Sequence, residues 1–374
     1  MDNILLSATL AFLITFFAIP VIIQVAKDKK LFDEPDERKV HKNVIPTLGG
    51  LGIFAGFIIA TLMGVPSGIT SELQYFAAAA TVIFFLGIKD DILILSASKK
   101  FIGQLIAAGI IIKFGGVQIS NMHGFLGINE IPHIASIVIS IFTIIVITNS
   151  FNLIDGVDGL AGSLGLLTTL VFGVYFFYVG QLTYAVIALA LSGSIIGFLI
   201  YNFSPAKIFM GDTGSLLIGL INSILVIKFI NVAGNPASNL PIEAAPAIGF
   251  SILMIPLFDT LRVFGLRILD RRSPFSPDRN HVHHFLLDLG LSHRMVTLTC
   301  VSVNILFICL AFFLRHLGTT TVIGILLCSA FVFIGAIYYN RPKNRNVANM
   351  KVENADIIKT HKLLKLAGEP VEAE

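Results

Sequence analysis

Long apolar stretches separated by short polar segments run through most of the chain. A helix needs about 20 mostly apolar residues to cross a bilayer, and eleven stretches approach that length, the fourth being short for a crossing. They cover residues 4–25, 48–65, 73–89, 101–114, 131–149, 158–179, 183–201, 213–231, 244–269, 295–314 and 320–339. We therefore expect an all-α polytopic membrane protein with about eleven transmembrane helices.

The composition agrees with this pattern and excludes a soluble enzyme. Of the 374 residues, 55% are hydrophobic and 13% are charged. The first stretch lacks the basic start and the cleavage site of a signal peptide, so we expect a first transmembrane helix there. The three cysteines, Cys300, Cys309 and Cys328, lie in apolar stretches without metal-ligand spacing, and no disulfide framework is expected.

Basic residues are concentrated in alternate loops. Lysine and arginine occur in the first, third, seventh and ninth loops and in the C-terminal segment, whereas the second, fourth, sixth and eighth loops have none. The positive-inside rule then predicts a cytoplasmic C-terminus and an outer N-terminus. We expect a transmembrane domain over residues 1–340 and a polar cytoplasmic tail over 341–374. The Gly-rich outer segment 115–130 could form a small hairpin.

One polar stretch interrupts the apolar pattern between the fifth and sixth predicted helices. It carries two carboxamides, Asn149 and Asn152, and two carboxylates, Asp155 and Asp158. It also contains three glycines, the last of which is Gly162. Polar groups between membrane segments often mark a functional site. The same residue types also form tight loops between helices, so this stretch alone leaves both interpretations open.

Carboxylates also stand at two other ends of apolar stretches. Asp90 and Asp91 end the third stretch, where adjacent carboxylates repel each other and need a metal, a basic partner or water. A polar helix cap is the alternative. Asp212 stands where the N-cap of the eighth helix belongs, and the flanking Gly211 and Gly214 would let a phosphate or metal approach the backbone.

Three histidines, His281, His283 and His284, lie in the longest predicted cytoplasmic loop, close to Arg279. Zinc is the less favoured ligand, because cysteine partners are absent and adjacent histidines rarely face one ion. With basic neighbours, a phosphate-binding patch fits better.

Two further sets of charged residues have a structural explanation as an alternative to a role in function. The first loop contains Arg38-Lys-Val-His-Lys42, a basic cluster that would fix orientation whatever else it does. Asp259 and Arg262 are three residues apart inside the ninth stretch, where they can form an ion pair on one helix face.

All of these polar clusters fall on the predicted cytoplasmic side. Carboxylates for a metal, Gly-bounded helix ends and basic groups for phosphates together indicate phosphoryl transfer at that face. The alternative class is an ion-coupled transporter, which requires acids near the middle of the membrane. Only Asp259 is a candidate for such a deep acid.

In this order, the motifs resemble a known family, the polyprenyl-phosphate N-acetylhexosamine-1-phosphate transferases of bacterial envelope synthesis. The resemblance covers residues 1–340. It rests on Arg38-Lys-Val-His-Lys with Pro46-Thr-Leu-Gly-Gly, Asp90-Asp91, Asn149-x-x-Asn-x-x-Asp-Gly-x-Asp-Gly-Leu-Ala, Phe209-Met-Gly-Asp-Thr-Gly-Ser and His281-Val-His-His.

The resemblance implies a reaction and its partners. Such enzymes transfer an N-acetylhexosamine 1-phosphate, most commonly the GlcNAc form, from a UDP-sugar to undecaprenyl phosphate. They release UMP, use Mg²⁺ with Mn²⁺ as an alternative, and begin an envelope polysaccharide such as an O-antigen. The active site then faces the cytoplasm at the inner membrane. The lipid bilayer is an expected partner and nucleic acid is not. Whether the enzyme forms a homodimer is left open.

The resemblance also assigns roles to residues. Asp212 matches the catalytic metal ligand, and Asp90 and Asp91 match the catalytic acids on the lipid-phosphate side. Nucleotide or substrate binding is expected for Lys42, Asn152, Asp155, Asp158, Arg279, His281 and His284, with His283 in the catalytic group. The phospho-N-acetylmuramoyl-pentapeptide transferases share most of these motifs, but Ser273-Pro-Phe-Ser-Pro-Asp-Arg-Asn-His-Val-His-His looks like the hexosamine branch.

Overall fold

The structure is a computed structural model that describes residues 2–29, 32–33, 45–65, 72–93, 95–273 and 280–341. The predicted substrate-binding residues Lys42 and Arg279 and the tail beyond Arg341 lie outside this part. The described residues form thirteen α-helices. The first seven are α1 Asp2–Asp28, α2 Gly49–Gly64, α3 Glu72–Leu93, α4 Ala97–Lys113, α5 His133–Ile154, α6 Leu160–Tyr178 and α7 Leu182–Asn202.

The second half of the chain adds the remaining helices. They are α8 Gly211–Ala233, α9 Ala245–Ile252, α10 Met254–Leu269, α11 Val282–Asp288, α12 His293–Leu314 and α13 Thr319–Asn340, with a 3₁₀ turn at Arg315–Leu317. Two short antiparallel pairs complete the described part. They are β1 Phe32–Asp33 with β2 Ile45–Pro46, and β3 Asn121–Phe125 with β4 Ile128–Glu130. The second pair is the hairpin predicted within residues 115–130.

The all-α membrane architecture is confirmed. Judged by length and composition, however, fewer of the described helices than the predicted eleven qualify as membrane-spanning. Seven described helices are long and apolar enough to cross a membrane, and α9 with α10 makes an eighth if the pair is one span. Each predicted apolar stretch nevertheless contains a helix. Helices α2 and α4 have only 16 and 17 residues, which is short for about 30 Å of hydrocarbon.

The ninth predicted span is broken rather than continuous. Its two parts, α9 and α10, meet at Leu253 with a bend of 85°. Such a break frees backbone groups that need partners inside a membrane protein. Asn304 of α12 supplies them, since its side chain accepts from the Ile255 amide at 3.0 Å and donates to the Ile252 carbonyl at 2.9 Å. Pro256 lies in the first turn of α10, where its missing N–H costs little.

Helix α8 is the element around which the bundle packs. It contacts α2, α3, α5, α6, α7 and α9, and most of its residues are buried. Two glycines allow neighbouring helices to approach its first turn. A Cβ at Gly50 would lie 2.2 Å from the Gly214 nitrogen, and a Cβ at Gly87 would lie 2.4 Å from the Thr213 Cα. The sequence therefore needs glycine there to bring α2 and α3 against the start of α8.

The segment before α2 is fastened to the segment before α8. The Gly49 amide donates to the Phe209 carbonyl at 2.9 Å, and the Gly50 amide donates to the Met210 carbonyl at 2.8 Å. The Phe209 amide donates in return to the Pro46 carbonyl at 2.9 Å. The Pro-Thr-Leu-Gly-Gly motif therefore lies beside the motif that contains Asp212.

Candidate active site

The start of α8 is capped by a carboxylate from another helix. Asp91, in the last turn of α3, accepts from the Asp212 amide at 2.6 Å and from the Thr213 amide at 3.1 Å. Its second oxygen also accepts from the Thr213 hydroxyl at 2.5 Å. An anion at this position satisfies free amides and complements the helix dipole. Asp91 therefore holds α8 in place by means of both carboxylate oxygens.

Asp212 is not the N-cap of α8, and the capping alternative from the sequence is wrong. The helix begins at Gly211, the cap position falls on Met210, and no side chain of that residue caps the helix. Gly211 has φ of 73°, a conformation that glycine adopts without strain. Since Asp91 already satisfies the first amides, the Asp212 carboxylate is left available for side-chain partners.

A lysine links two of the predicted catalytic carboxylates. The Lys100 ammonium lies 2.5 Å from Asp212 Oδ2 and also forms an ion pair with Asp90 Oδ2. Asp90 is buried, and its other oxygen accepts from the Leu95 amide at 2.5 Å. In the sequence, Lys100 contributes only to the basic charge of the third loop. Its one available signal was its position shortly after the acidic pair.

The two carboxamides of the central stretch lie on helix α5, which continues to Ile154, so the predicted span end at 149 is too early. Asn152 donates to Asp212 Oδ1 at 2.8 Å and to the Ser215 hydroxyl at 3.1 Å. Asn149 donates to Gln104 Oε1 of α4 at 2.7 Å. Their spacing of three residues puts both on neighbouring positions of one helix. Asn152 thus belongs to the Asp212 cluster, while Asn149 joins α5 to α4.

Asp155 follows α5 and lies within electrostatic range of the other carboxylates. Burial, together with the negative charges of Asp212, Asp91 and Asp158, raises the pKa of Asp155 to about 8. A carboxyl group with that pKa holds its proton through most of the neutral range. Asp155 therefore adds a mostly neutral carboxyl group to the cluster near pH 7, rather than a further negative charge.

Asp158 fastens the same loop to other parts of the chain. Its Oδ2 accepts from the Ala206 amide at 3.2 Å, and its Oδ1 lies 3.2 Å from His293 Nδ1 at the start of α12. Its carbonyl accepts from the Thr297 hydroxyl at 3.0 Å. These contacts indicate that Asp158 positions the loop.

The histidine segment is held by Asp259. This buried carboxylate lies 2.8 Å from His281 Nδ1 and accepts from the Val282 amide at 3.0 Å. The predicted ion pair with Arg262 is present at 2.9 Å, and Arg262 also donates to the Asn280 carbonyl. Asp259 therefore fixes the point at which the loop enters α11.

Through His283, the histidine segment contacts the aspartate loop, which runs from Asp155 to Asp158. A Cβ at Gly156 would lie 2.5 Å from His283 Nε2, so only glycine permits the contact. The His283 ring stacks on His281 at 5.6 Å and lies 4.3 Å from His284. Burial, followed by the positive charge of His284, lowers the pKa of His283 to about 3. His283 is therefore a neutral imidazole at the working pH of most proteins.

The structure thus brings most of the predicted site residues to one end of the bundle. Asp90, Asp91, Asp212 and Asn152 form one connected cluster, and Asp155 lies in its electric field. The histidines join it through Gly156. No group of three or more acidic, histidine or cysteine side chains in the described ranges is arranged as a metal-ligand set.

Comparison with known proteins gives one family. Residues 73–230 match the model for glycosyl transferase family 4. The chain is 34% identical over 319 residues to the probable undecaprenyl-phosphate N-acetylglucosaminyl 1-phosphate transferase of Bacillus subtilis (strain 168), covering 82% of this chain and 85% of that relative.

Two further relatives carry similar names. Identity is 34% over 315 residues to the decaprenyl-phosphate N-acetylglucosaminephosphotransferase of Mycobacterium leprae (strain TN), covering 77% of this chain and 78% of the relative. It is 28% over 290 residues to the undecaprenyl-phosphate alpha-N-acetylglucosaminyl 1-phosphate transferase of Escherichia coli (strain K12), covering 76% of each. The stretch matched by the family model contains all of the carboxylates from Asp90 to Asp212.

Proposed function

This chain belongs to the polyprenyl-phosphate N-acetylglucosamine-1-phosphate transferases of glycosyl transferase family 4, and we propose that it transfers N-acetylglucosamine 1-phosphate from a UDP-sugar to undecaprenyl phosphate. The observation that carries this proposal is the cluster at the start of α8. There Asp212 meets Lys100, Asn152 and, through the lysine, Asp90. Such a set handles the charge of phosphate groups without forming a covalent bond to them.

The residues fit a divalent cation such as Mg²⁺. Asp90 and Asp212 already enclose a positive charge, because the Lys100 ammonium lies between them. Mg²⁺ is usually held by one or two carboxylates, with water and substrate phosphates as its other ligands, so a complete protein ligand set is not required. We propose Asp212 as the principal ligand with Asp90 beside it. A bound cation would supply neutralisation of the pyrophosphate and of the departing UMP.

The reaction itself is proposed as a direct displacement. An oxygen of the lipid phosphate forms a bond to the sugar-linked phosphorus, and the bond from that phosphorus to the bridging oxygen breaks, so that UMP leaves with the electron pair. A phosphate monoester with a second pKa of about 6 is already largely ionised near neutrality, so no residue needs to remove its proton. Lys100 would compensate part of the negative charge that the two phosphates bring together.

The remaining site residues have proposed roles in positioning. Asn152 orients the Asp212 carboxylate, and Asp91 holds the helix that carries it. We propose that Asp155 and the histidine segment form the side of the site that receives the nucleotide and the sugar, with neutral His283 as a hydrogen-bonding group. The basic clusters would face the cytoplasm, which puts the site at the inner face of the membrane.

A membrane assay tests the proposed function. Membranes containing the full chain are given undecaprenyl phosphate, Mg²⁺ and a panel of UDP-sugars, and UMP release is followed. We expect release with UDP-N-acetylglucosamine and its loss by about 100-fold or more in Asp212→Asn, because the carboxylate that pairs with Lys100 and would hold the divalent cation is removed. Asp270→Asn is the matched control, since Asp270 forms an exposed ion pair with Arg272.

Three outcomes would each contradict part of the proposal. Absence of UMP with every UDP-N-acetylhexosamine removes the transferase activity, and release only with UDP-N-acetylmuramoyl-pentapeptide moves the chain to the related branch. Isolation of a sugar-phosphate adduct on Asp90 or Asp91 would replace direct displacement by a two-step route.

A further inference from the structure

A second polar site lies at the end of the bundle opposite the carboxylate cluster. Lys228 is 16 residues after Asp212 on the same helix, which corresponds to about 24 Å along α8. A cavity of about 320 Å³ opens beside it, between the starts of α3 and α7 and the last turns of α8. Its polar lining is Glu72, Gln181, Tyr184, Lys228, Asn231, Asn235, Ser238 and Asn239.

The position of Lys228 calls for a ligand. An ionisable side chain inside a membrane helix is costly and normally has a partner or a function. A lysine near a helix end can extend to the membrane surface, but the Lys228 ammonium instead lies 4.6 Å from the centre of the Tyr184 ring. It makes no ion pair with any residue in the described part of the chain. An anion in the cavity would satisfy it.

Two acceptors also line the cavity, Glu72 and, one helical turn after Lys228, Asn231. Glu72 accepts from the Tyr184 hydroxyl at 2.6 Å, so the tyrosine separates the carboxylate from the ammonium. Asn231 donates to the Gln118 carbonyl at 2.8 Å, while its side-chain oxygen is buried and has no hydrogen-bond partner among the described residues. A buried acceptor without a donor is costly. The cavity therefore presents a cation together with two acceptors.

We propose that this cavity binds the zwitterionic head group of a bilayer lipid, with the chemistry of phosphoethanolamine. The phosphate would pair with Lys228 and the neighbouring amides, and the ammonium would donate to Glu72 and Asn231. A purely anionic head group leaves the Asn231 oxygen without a donor and the Glu72 carboxylate without a cation, and a neutral one leaves Lys228 without an anion. The position at a helix end suits a lipid, because head groups lie at that depth. This site is independent of the proposed transfer reaction.

Native mass spectrometry of the purified full chain, titrated with defined lipids, tests the proposal. We expect phosphatidylethanolamine to bind, and Lys228→Met to weaken that binding by about tenfold or more because a charged hydrogen bond is lost. Lys228→Arg should keep most of it. Lys113→Met is the matched control, because Lys113 ends α4 at the same end of the bundle but is exposed. UMP release by each variant shows that the bundle is folded.

The assignment to one head group has its own test. Glu72→Gln should weaken the binding of phosphatidylethanolamine and leave the binding of phosphatidylglycerol unchanged. Only phosphatidylethanolamine offers an ammonium to the carboxylate. Equal binding by Lys228→Met and Lys113→Met would overturn the site. Equal affinity of the wild type for both lipids would overturn the zwitterionic assignment. Thermal stabilisation by free O-phosphoethanolamine as large as that by the lipid would support the chemistry and overturn the lipid as its source.

Discussion

Lys100 puts one positive charge between two carboxylates that belong to different helices. Asp90 comes from α3 and Asp212 from α8, so the ion pairs both connect the helices and set the charge of the site. The adjacent Asp91 has a different task, because α8 amides and a hydroxyl occupy its oxygens. Two neighbouring aspartates, which look equivalent in sequence, therefore differ in what they contact.

Replacement of Lys100 tests its role directly. In Lys100→Met the two carboxylates face each other without the ammonium, and the phosphates lose a cation, so kcat should fall by about 100-fold or more. Lys99→Met is the matched control, since Lys99 is exposed and one residue away. Equal rates of UMP release by the two variants would show that Lys100 serves only membrane orientation.

The raised pKa of Asp155 predicts a pH-dependent stability. Because its pKa in the folded chain is about 8, the folded state keeps a proton that the unfolded state releases between about pH 4 and pH 8. The free energy of unfolding should therefore fall as the pH rises through this window and level off above it. Asp155→Asn removes this proton exchange. Thermal unfolding in detergent without added metal should then depend less on pH in the variant, and parallel curves would contradict the assigned pKa.

At the scale of the elements, short helix α11 is positioned by a residue outside it. Asp259 receives the ring of His281 and the first amide of α11, and the Gly156 contact presses His283 against the aspartate loop. The predicted pair of Asp259 with Arg262 is therefore one part of a larger anchor. The anchor determines where the histidines stand relative to Asp155.

Asp259→Asn should loosen α11 while leaving the start of α8 intact. An amide cannot replace both carboxylate contacts, and it leaves the Arg262 charge uncompensated in a mostly buried place. We expect kcat/KM for the UDP-sugar to fall by roughly 10- to 100-fold, the range found for groups that orient reacting residues. The KM for the lipid phosphate should stay the same. An equal fall in kcat/KM for both substrates, accompanied by a lower melting temperature, would indicate a purely structural role.

The elements were easier to predict than their contacts. Apolar length identified a helix for each predicted stretch, because burial of the backbone in lipid demands one. The break at Leu253 was not predictable, since residues on both sides are apolar and its stabilising partner, Asn304, is about 50 positions away. The residues that donate to Asp91 are likewise 121 and 122 positions away. Contacts between distant segments depend on packing, which local patterns do not encode.

At the scale of the whole molecule, the chain separates two polar ends by an apolar bundle. The predicted carboxylates and histidines lie together at one end, in agreement with their predicted position in loops on the same side of the membrane. Lys228 and the polar cavity lie at the other. Which residues gather at this end was thus largely predictable, whereas the different contacts of Asp90, Asp91, Asp155 and Asp158 required the structure.

The measurement that tests the central claim most directly follows the phosphorus atoms of the donor. UDP-N-acetylglucosamine labelled with ³²P in its sugar-linked phosphate is incubated with undecaprenyl phosphate and the full chain. Transfer of a sugar 1-phosphate predicts that the label enters the lipid fraction and that unlabelled UMP appears in equal amount. Labelled UDP together with an unlabelled lipid product would contradict the account, because only the sugar would then have moved.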